Sequence, residues 1–553
     1  MVGNRFFHYF TILLVAGVII VDRLAWASVS QWHNDQAINI WLGYTRGLFD
    51  MPVGLISTQN FPNPNGMFIV GFFLSRLPDL WFVSTFLGCS QAGLIIWIAR
   101  NNFGAFNRLF FVAAVPLLTS IILRPVSVEF WNQYFIAFIN LLFLIWALRY
   151  LDRPSLWKIP SVVVLICIAP ALYLAGVVNS LAMTLVGAAV IFYRPPSGWK
   201  SGWQKPFLMS LLVIACSVVV TWLPYFRSIR LSQLLELNPG GHLNYLQSLR
   251  VIGETVIGFP LYAPVQWAYV TFLNNSSEIL SKPANWLVQA TVWLGVAQGT
   301  LALAAVSIGL MTIWFKRSRP FLLSNFINPQ AARLALLSAV FIIVSYSISP
   351  LLGGAIWAEG QRSDQVVQFL PLFMFVNFLS PFVFRLPVAA EKFLGRLAYS
   401  LLILYATVNI LAGIFIIQSH LDYRGNMLTV ADMDVPLVQK MQAVDFIATD
   451  WRSISKSDVI PVDYRLVGGI WGWIPEFGLQ MQPWYPAPMT LGRSFDYDLL
   501  RRYGLRNLQE GVQFRKFGTG RYLVTYAFEP EPSLPGVLMS VHLFGRIRVN
   551  IVH

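Results

Sequence analysis

Residues 131–149 read WNQYFIAFINLLFLIWALR. A helix needs about 20 mainly apolar residues to cross a bilayer core, and this run comes close to that length. It ends on Arg149, and Arg153 and Lys158 follow before the next apolar run begins. The same unit, an apolar run closed by a basic turn, recurs along most of the chain. Spanning helices are expected at 7–27, 79–99, 108–124, 131–149, 159–174, 176–193, 205–224, 286–314, 332–350, 366–385 and 397–418, eleven in all. The first has no small-residue cleavage site behind it and reads as a retained helix, not a signal peptide. The stretch 159–193 is too long for one span and short for two, and Pro170 with the break near Gly176 divides it.

Composition agrees with this reading. Of 553 residues, 56% are apolar and 12% are Asp, Glu, Lys or Arg, whereas a soluble domain carries about 25% charge. So few charges cannot cover a soluble surface of this size. An ordinary cytosolic enzyme, a disordered chain and a disulfide scaffold are excluded. The net charge is +14, and its location explains it. Residues 1–418 hold 25 Lys and Arg against 12 acids, while residues 419–553 hold 14 against 13. No Lys/Arg cluster is dense enough for a nucleic-acid partner. Cys89, Cys167 and Cys216 lie in apolar runs with no His at ligand spacing, and they read as buried small hydrophobes.

Basic residues fall in alternate connections: Arg5; Arg100 and Arg108; Arg149, Arg153 and Lys158; Arg194, Lys200 and Lys205; Lys316, Arg317, Arg319 and Arg333; Arg385, Lys392 and Arg396. Those loops are expected in the cytoplasm. The N-terminus is then inside and the C-terminus outside, which agrees with eleven spans. Residues 66–75, GMFIVGFFLS, are too short to cross and are expected to lie on the outer leaflet or dip into it. Three longer stretches then face outward: a first outer loop at 28–78, a second at 225–285, and a tail at 419–553. The tail has the composition of a soluble domain. Within it, 435–451 reads as an amphipathic helix and two runs near 457–466 and 521–527 read as strands. The expected fold is therefore an all-α polytopic membrane domain (1–418) followed by a small outer α/β domain (419–553).

Walker A, GxGxxG, GxSxG, HExxH and CxxC motifs are all missing. The first outer loop is the informative stretch. It begins Ser30-Gln-Trp-His-Asn-Asp35-Gln-Ala-Ile-Asn-Ile-Trp41 and later runs Asn60-Phe-Pro-Asn-Pro-Asn-Gly66. Asp35 follows the first span so closely that it is held at the outer membrane surface. A carboxylate there can take a proton from a nucleophile attacking a lipid-linked substrate. Partial desolvation would raise its pKa and make it a better base. Glu129 sits at the outer end of a span, where ionisable groups are expensive. Arg124 and Arg362 are cations on the outer side, where positive charge is sparse. Arginine can hold a departing phosphate in bidentate fashion.

The layout resembles the membrane glycosyltransferases of the GT-C superfamily, in particular the protein O-mannosyltransferase and aminoarabinose transferase-like branch. Members have a retained first helix and a large outer loop opening with an acidic pair, then a Pro-rich patch and a short apolar helix. Asp35 takes the place of the first acid, and Gln36 stands where the pair usually has Glu. Pro62-Asn-Pro64-Asn matches the patch loosely. Arg124 to Phe135, with Glu129, resembles the family's second acidic loop. Arg362-Ser-Asp-Gln-Val-Val-Gln-Phe-Leu-Pro371 is similar to its late Arg-Tyr…Pro stretch, with Gln365-Val-Val in place of Arg-Tyr. The resemblance covers residues 5–418 in architecture. It implies transfer of a sugar from a polyprenyl-phosphate donor to a lipid, glycan or protein acceptor on the outer face of a bacterial inner membrane. Asp35 and Glu129 would be catalytic, and Arg124, Arg362, His33 and Gln36 would bind substrate. A divalent metal is left open. The alternatives are a non-catalytic subunit of an envelope-polymer assembly machine and a lipid or solute transporter.

Overall fold

A helix apolar on most of its faces is stable either against other helices or against lipid, and this chain strings such helices together. The computed structural model describes residues 2–30, 39–40, 48, 63–105, 107–196, 202–228, 279–315, 328–352, 361–386, 388–425, 435–455, 462–464, 521–528 and 537–552. The bundle comprises α1 (Val2–Ser28), α2 (Gly66–Leu74), α3 (Leu80–Phe103), α4 (Arg108–Thr119), α5 (Leu123–Val128), α6 (Asn132–Asp152), α7 (Ile159–Leu172), α8 (Val177–Tyr193), α9 (Gln204–Ser217), α10 (Leu223–Ser228), α11 (Lys282–Phe315), α12 (Pro329–Leu352), α13 (Gln361–Leu379) and α14 (Val388–Asp422). A π-helical turn, Val218–Trp222, joins α9 to α10.

Among the described residues, six helices are long and apolar enough to cross a membrane: Leu80–Phe103, Tyr134–Asp152, Gln204–Arg227, Lys282–Thr312, Pro329–Ile348 and Val388–Asp422. Four more are apolar but shorter: Arg108–Thr119, Leu156–Leu172, Val177–Tyr193 and Gln368–Phe382. The chain is a multi-pass membrane protein. One large core cluster runs through the bundle and includes Phe143, Trp146, Phe341 and Phe369. Phe143 stacks on Trp146 at 5.7 Å and packs against Phe341 of α12 at 4.9 Å. Two buried asparagines link three of the helices. Asn179 of α8 donates to Asn140 of α6 at 3.0 Å, and Asn140 donates to the Gln368 carbonyl of α13 at 2.9 Å.

One expectation is corrected. The stretch 108–124 is not one continuous helix. The chain leaves the helix at Ser120, whose backbone is non-helical and whose Oγ accepts from the N–H groups of Ile122 and Leu123 to start α5. Apolar continuity hid this break, because a hydroxyl bonding its own backbone leaves no mark on a hydropathy profile. The short helix at 66–74 packs against the bundle. Met67 and Phe68 are buried, and a Cβ on Gly66 would lie 2.3 Å from the Ala171 carbonyl oxygen of α7. Asn65 beside it donates to the Val220 carbonyl of the π turn at 3.2 Å. Gly66→Ala should therefore destabilise the protein by about 1–3 kcal/mol, as overpacking against backbone does, read as a lower melting temperature in detergent. An unchanged melting temperature would contradict this packing.

The bundle sorts its charge by end. At the C-terminal end of α6, Lys158 donates to the carbonyls of Arg149 and Arg153. Arg194 reaches the Leu151 carbonyl, Arg333 pairs with Asp152, and Arg149 lies over Trp97. At the other end, α6 begins beside Glu129. The C-terminal ends of α1 and α14 are tied to the tail there. Its helix α15 (Leu437–Ile454) donates from the Leu437 N–H to the Ser30 carbonyl at 3.1 Å. Gln439 donates to the Leu421 carbonyl at 3.4 Å and accepts from the Arg546 N–H at 3.0 Å.

In the tail, α15 packs against a sheet of β1 (Val462–Tyr464), β2 (Tyr522–Tyr526), β3 (Leu538–Phe544) and β4 (Ile547–Val552), in the order β1-β2-β4-β3. β1 and β2 are parallel, and the other two pairings are antiparallel. Gly545 takes φ +61 in the β3–β4 turn, a conformation that glycine adopts without a Cβ clash. Phe446 of α15 lies on His542 at 4.2 Å and on Phe544 at 5.4 Å.

Candidate functional site

The described part of the site is built where α1 ends and α5 turns into α6. The helix α5 is only six residues long, and Glu129 is its C-terminal cap with extended backbone. The extended cap turns the chain so that α6 can start three residues later. Ser30, buried at the end of α1, donates its hydroxyl to Glu129 Oε1 at 3.1 Å. One contact thus joins the end of α1 to the turn between α5 and α6, although 99 residues separate them.

Arg124 is not placed as expected from a phosphate-facing cation. It is 3% exposed and lies inside the bundle. Its Nη1 donates to Asp22 Oδ1 at 2.8 Å, its Nε to the Ser120 carbonyl at 3.3 Å, and its Nη2 to the Asn409 carbonyl of α14. The guanidinium also lies over Trp26, 5.2 Å from the ring centre. Arg23, equally buried, takes the other Asp22 oxygen. Asp22 therefore divides its carboxylate between two arginines, and its side chain keeps 28% exposure. Glycines make the room. A Cβ on Gly413 would sit 2.5 Å from Arg124 Nη2, and one on Gly88 would sit 2.7 Å from Arg23 Cδ. Asn409 completes the joint by accepting from the Ile121 N–H at 3.0 Å.

Glu129 and Arg124 are thus neighbours on one short element, but they turn to different partners. Arg362 stands in the first turn of α13. α12 begins at the basic end, where Arg333 pairs with Asp152. It therefore finishes, and α13 begins, at the end that holds Glu129. The Arg362 side chain lies outside the described residues, as do His33, Asp35 and Gln36 and the tail aromatics Trp471, Trp473, Trp484 and Tyr485. Among the described residues no group of three or more His, Cys, Asp or Glu is arranged to hold a metal.

Asp22 and Arg23 did not stand out in the sequence, although the signal was available. Two ionisable residues fall inside the first apolar run, and such residues mark interior faces and partners.

No family model matches the chain, and no curated protein matches it. Among solved structures, it is similar to the crystal structure of ArnT from Cupriavidus metallidurans bound to undecaprenyl phosphate. The identity is 13%, the likeness covers 98% of this chain and 97% of that one, and the TM-score is 0.45.

Proposed function

We propose that the chain is a membrane glycosyltransferase that moves a sugar from a polyprenyl-phosphate-linked donor to an acceptor on the outer face of the membrane. The observation that carries the reading is the Ser30–Glu129 hydrogen bond. It brings together the two outer stretches that the sequence resemblance singles out. Asp35 is five residues beyond Ser30, a tether of at most about 18 Å when fully extended. In this reading Asp35 takes the proton from the acceptor hydroxyl or amine, and the freed pair attacks the anomeric carbon. The bond to the phosphate oxygen breaks, and Arg362 steadies the departing polyprenyl phosphate. Phosphate leaves readily, so no general acid is needed. Glu129 orients the loop start or the acceptor. Arg124, assigned to substrate by resemblance, is better explained as a structural cation paired with Asp22.

Eleven spans, a cytoplasmic N-terminus and an outer tail complete the proposal. The gathering of Arg149, Lys158, Arg194 and Arg333 at one end of the bundle supports that orientation, because basic turns stay on the cytoplasmic side. The outer ends of α1 and α14 share the opposite end, as an odd number of crossings requires. A single cysteine placed at Asn274 should react with an impermeant maleimide in intact cells. Reaction only after permeabilisation would reverse the orientation.

The direct test is turnover. The purified full-length protein in liposomes, given polyprenyl-phosphate-linked sugars and an acceptor extract, should release free polyprenyl phosphate. Release by crude membranes but not by the pure protein would favour an assembly subunit. Passage of intact donor lipid between leaflets would favour a transporter.

A further inference from the structure

We propose that Asp22 is a positioning residue: its shared carboxylate pins α5 against α1 and α14 and so fixes Glu129 over the start of the first outer loop. The functional weight of this latch rests on the transfer reading above, whereas its structural part stands on geometry alone. Three elements meet through one carboxylate and the Arg124 guanidinium it holds. Asp22 and Arg23 come from α1, Arg124 from the first turns of α5, and the Asn409 carbonyl from α14. The helix α5 is too short to be stable by its own hydrogen bonds, since isolated helices below about 12–15 residues are marginal. It depends on outside anchors. It has one at its start, through Arg124 and the Ser120 cap, and one at its end, through Glu129 and Ser30. Glu129 lies five residues from Arg124, so a shift of the guanidinium carries the carboxylate with it.

The cost of the arrangement marks it as specific. Two arginines are almost fully buried and share a single carboxylate, so removing that carboxylate alone leaves both cations without a counter-charge, which is strongly destabilising. Gly413 and Gly88 are the positions where even a methyl group would collide with these side chains. The surroundings are shaped to the guanidinium groups, beyond merely tolerating them.

The test separates positioning from folding by using the full chain in detergent or nanodiscs and variants that still fold. Asp22→Asn with Arg23→Met and Arg124→Met removes the carboxylate together with both buried cations, so no buried charge is left unpaired. Gly413→Ala displaces the Arg124 guanidinium while leaving every charge in place. Hydrogen–deuterium exchange of the peptide 123–130 should rise about tenfold in both, as local opening becomes easier, with exchange in α11 and α12 unchanged. Asp22→Glu, which keeps the carboxylate, should restore protection to within about twofold of wild type. In the transfer assay, both variants should lose kcat about tenfold with KM unchanged, the pattern of a misplaced reacting group. Unchanged exchange over 123–130 in a folded variant would overturn the proposal, as would exchange that rises uniformly across the bundle. If the exchange result holds while no variant or wild type shows transfer, the latch stands and the glycosyltransferase reading fails.

Discussion

Asp35→Asn should lower transfer from a polyprenyl-phosphate donor by about 10²–10⁴-fold, the range lost when a general base is removed. Asparagine is nearly the same size and still accepts hydrogen bonds, but it takes no proton at neutral pH. The variant should therefore insert, melt within a few degrees of wild type and still bind a polyprenyl-phosphate-linked donor. A loop carboxylate with only a structural role behaves differently. Its loss lowers stability or expression, by well under about 2 kcal/mol at an exposed site, and leaves turnover per folded molecule intact. Gln36→Glu is the companion variant and should be tolerated, because it adds a second acid beside an intact base. Rates are read in liposomes, normalised to folded protein by thermal unfolding. Transfer by Asp35→Asn at near wild-type rate would refute the base assignment and move it to Glu129.

Arg362→Gln should reduce kcat by about 10²–10³-fold, the loss typical of removing one donor aimed at developing negative charge. The charge that grows on the leaving phosphate is absent from the bound donor, so the effect should fall on kcat more than on KM. Arg124 is the contrasting case. Its guanidinium holds Asp22 and the Asn409 carbonyl deep in the bundle. Arg124→Gln should show itself first as destabilisation on the order of 3–5 kcal/mol, the cost of breaking a buried ion pair from one side. Equal kcat losses in the two variants with unchanged melting temperatures would contradict this division of labour.

The membrane bundle was legible because its signals are local. Apolar runs of helical length and the basic turns between them fix where helices form, and the pair α7 and α8 was visible from Pro170 and Gly176. In the tail, α15 and the strand at Tyr522–Tyr526 stood close to where the pattern put them. The β3–β4 hairpin went unread, although Gly545-Arg546 between two apolar-alternating runs was an available turn signal. The break at Ser120 was not legible, because it depends on one hydroxyl bonding its own backbone inside a continuous apolar stretch. The fate of Arg124 was not legible either. Its partner lies 102 residues away on another helix, and sequence spacing says nothing about which of twelve acids in the membrane domain a buried cation reaches. The candidate acids at Asp35 and Glu129 were found for a reason that needs no tertiary information. Each is an ionisable group beside the end of an apolar run, where a charge is expensive unless it has work to do.

The most direct measurement is a structure of the full-length protein with a polyprenyl phosphate bound. The lipid phosphate should sit at the end of the bundle that holds Ser30 and Glu129, with the Arg362 guanidinium within hydrogen-bonding distance of it. Asp35, Glu129 and Arg362 should face the same outward cavity, and Arg124 should remain on Asp22 without touching the lipid. Strong coupling between charges reaches only about 4–6 Å. Carboxylates and guanidinium more than about 15 Å apart, or a phosphate held instead at the basic end near Lys158 and Arg194, would contradict a single transfer site at the joint of the two outer loops.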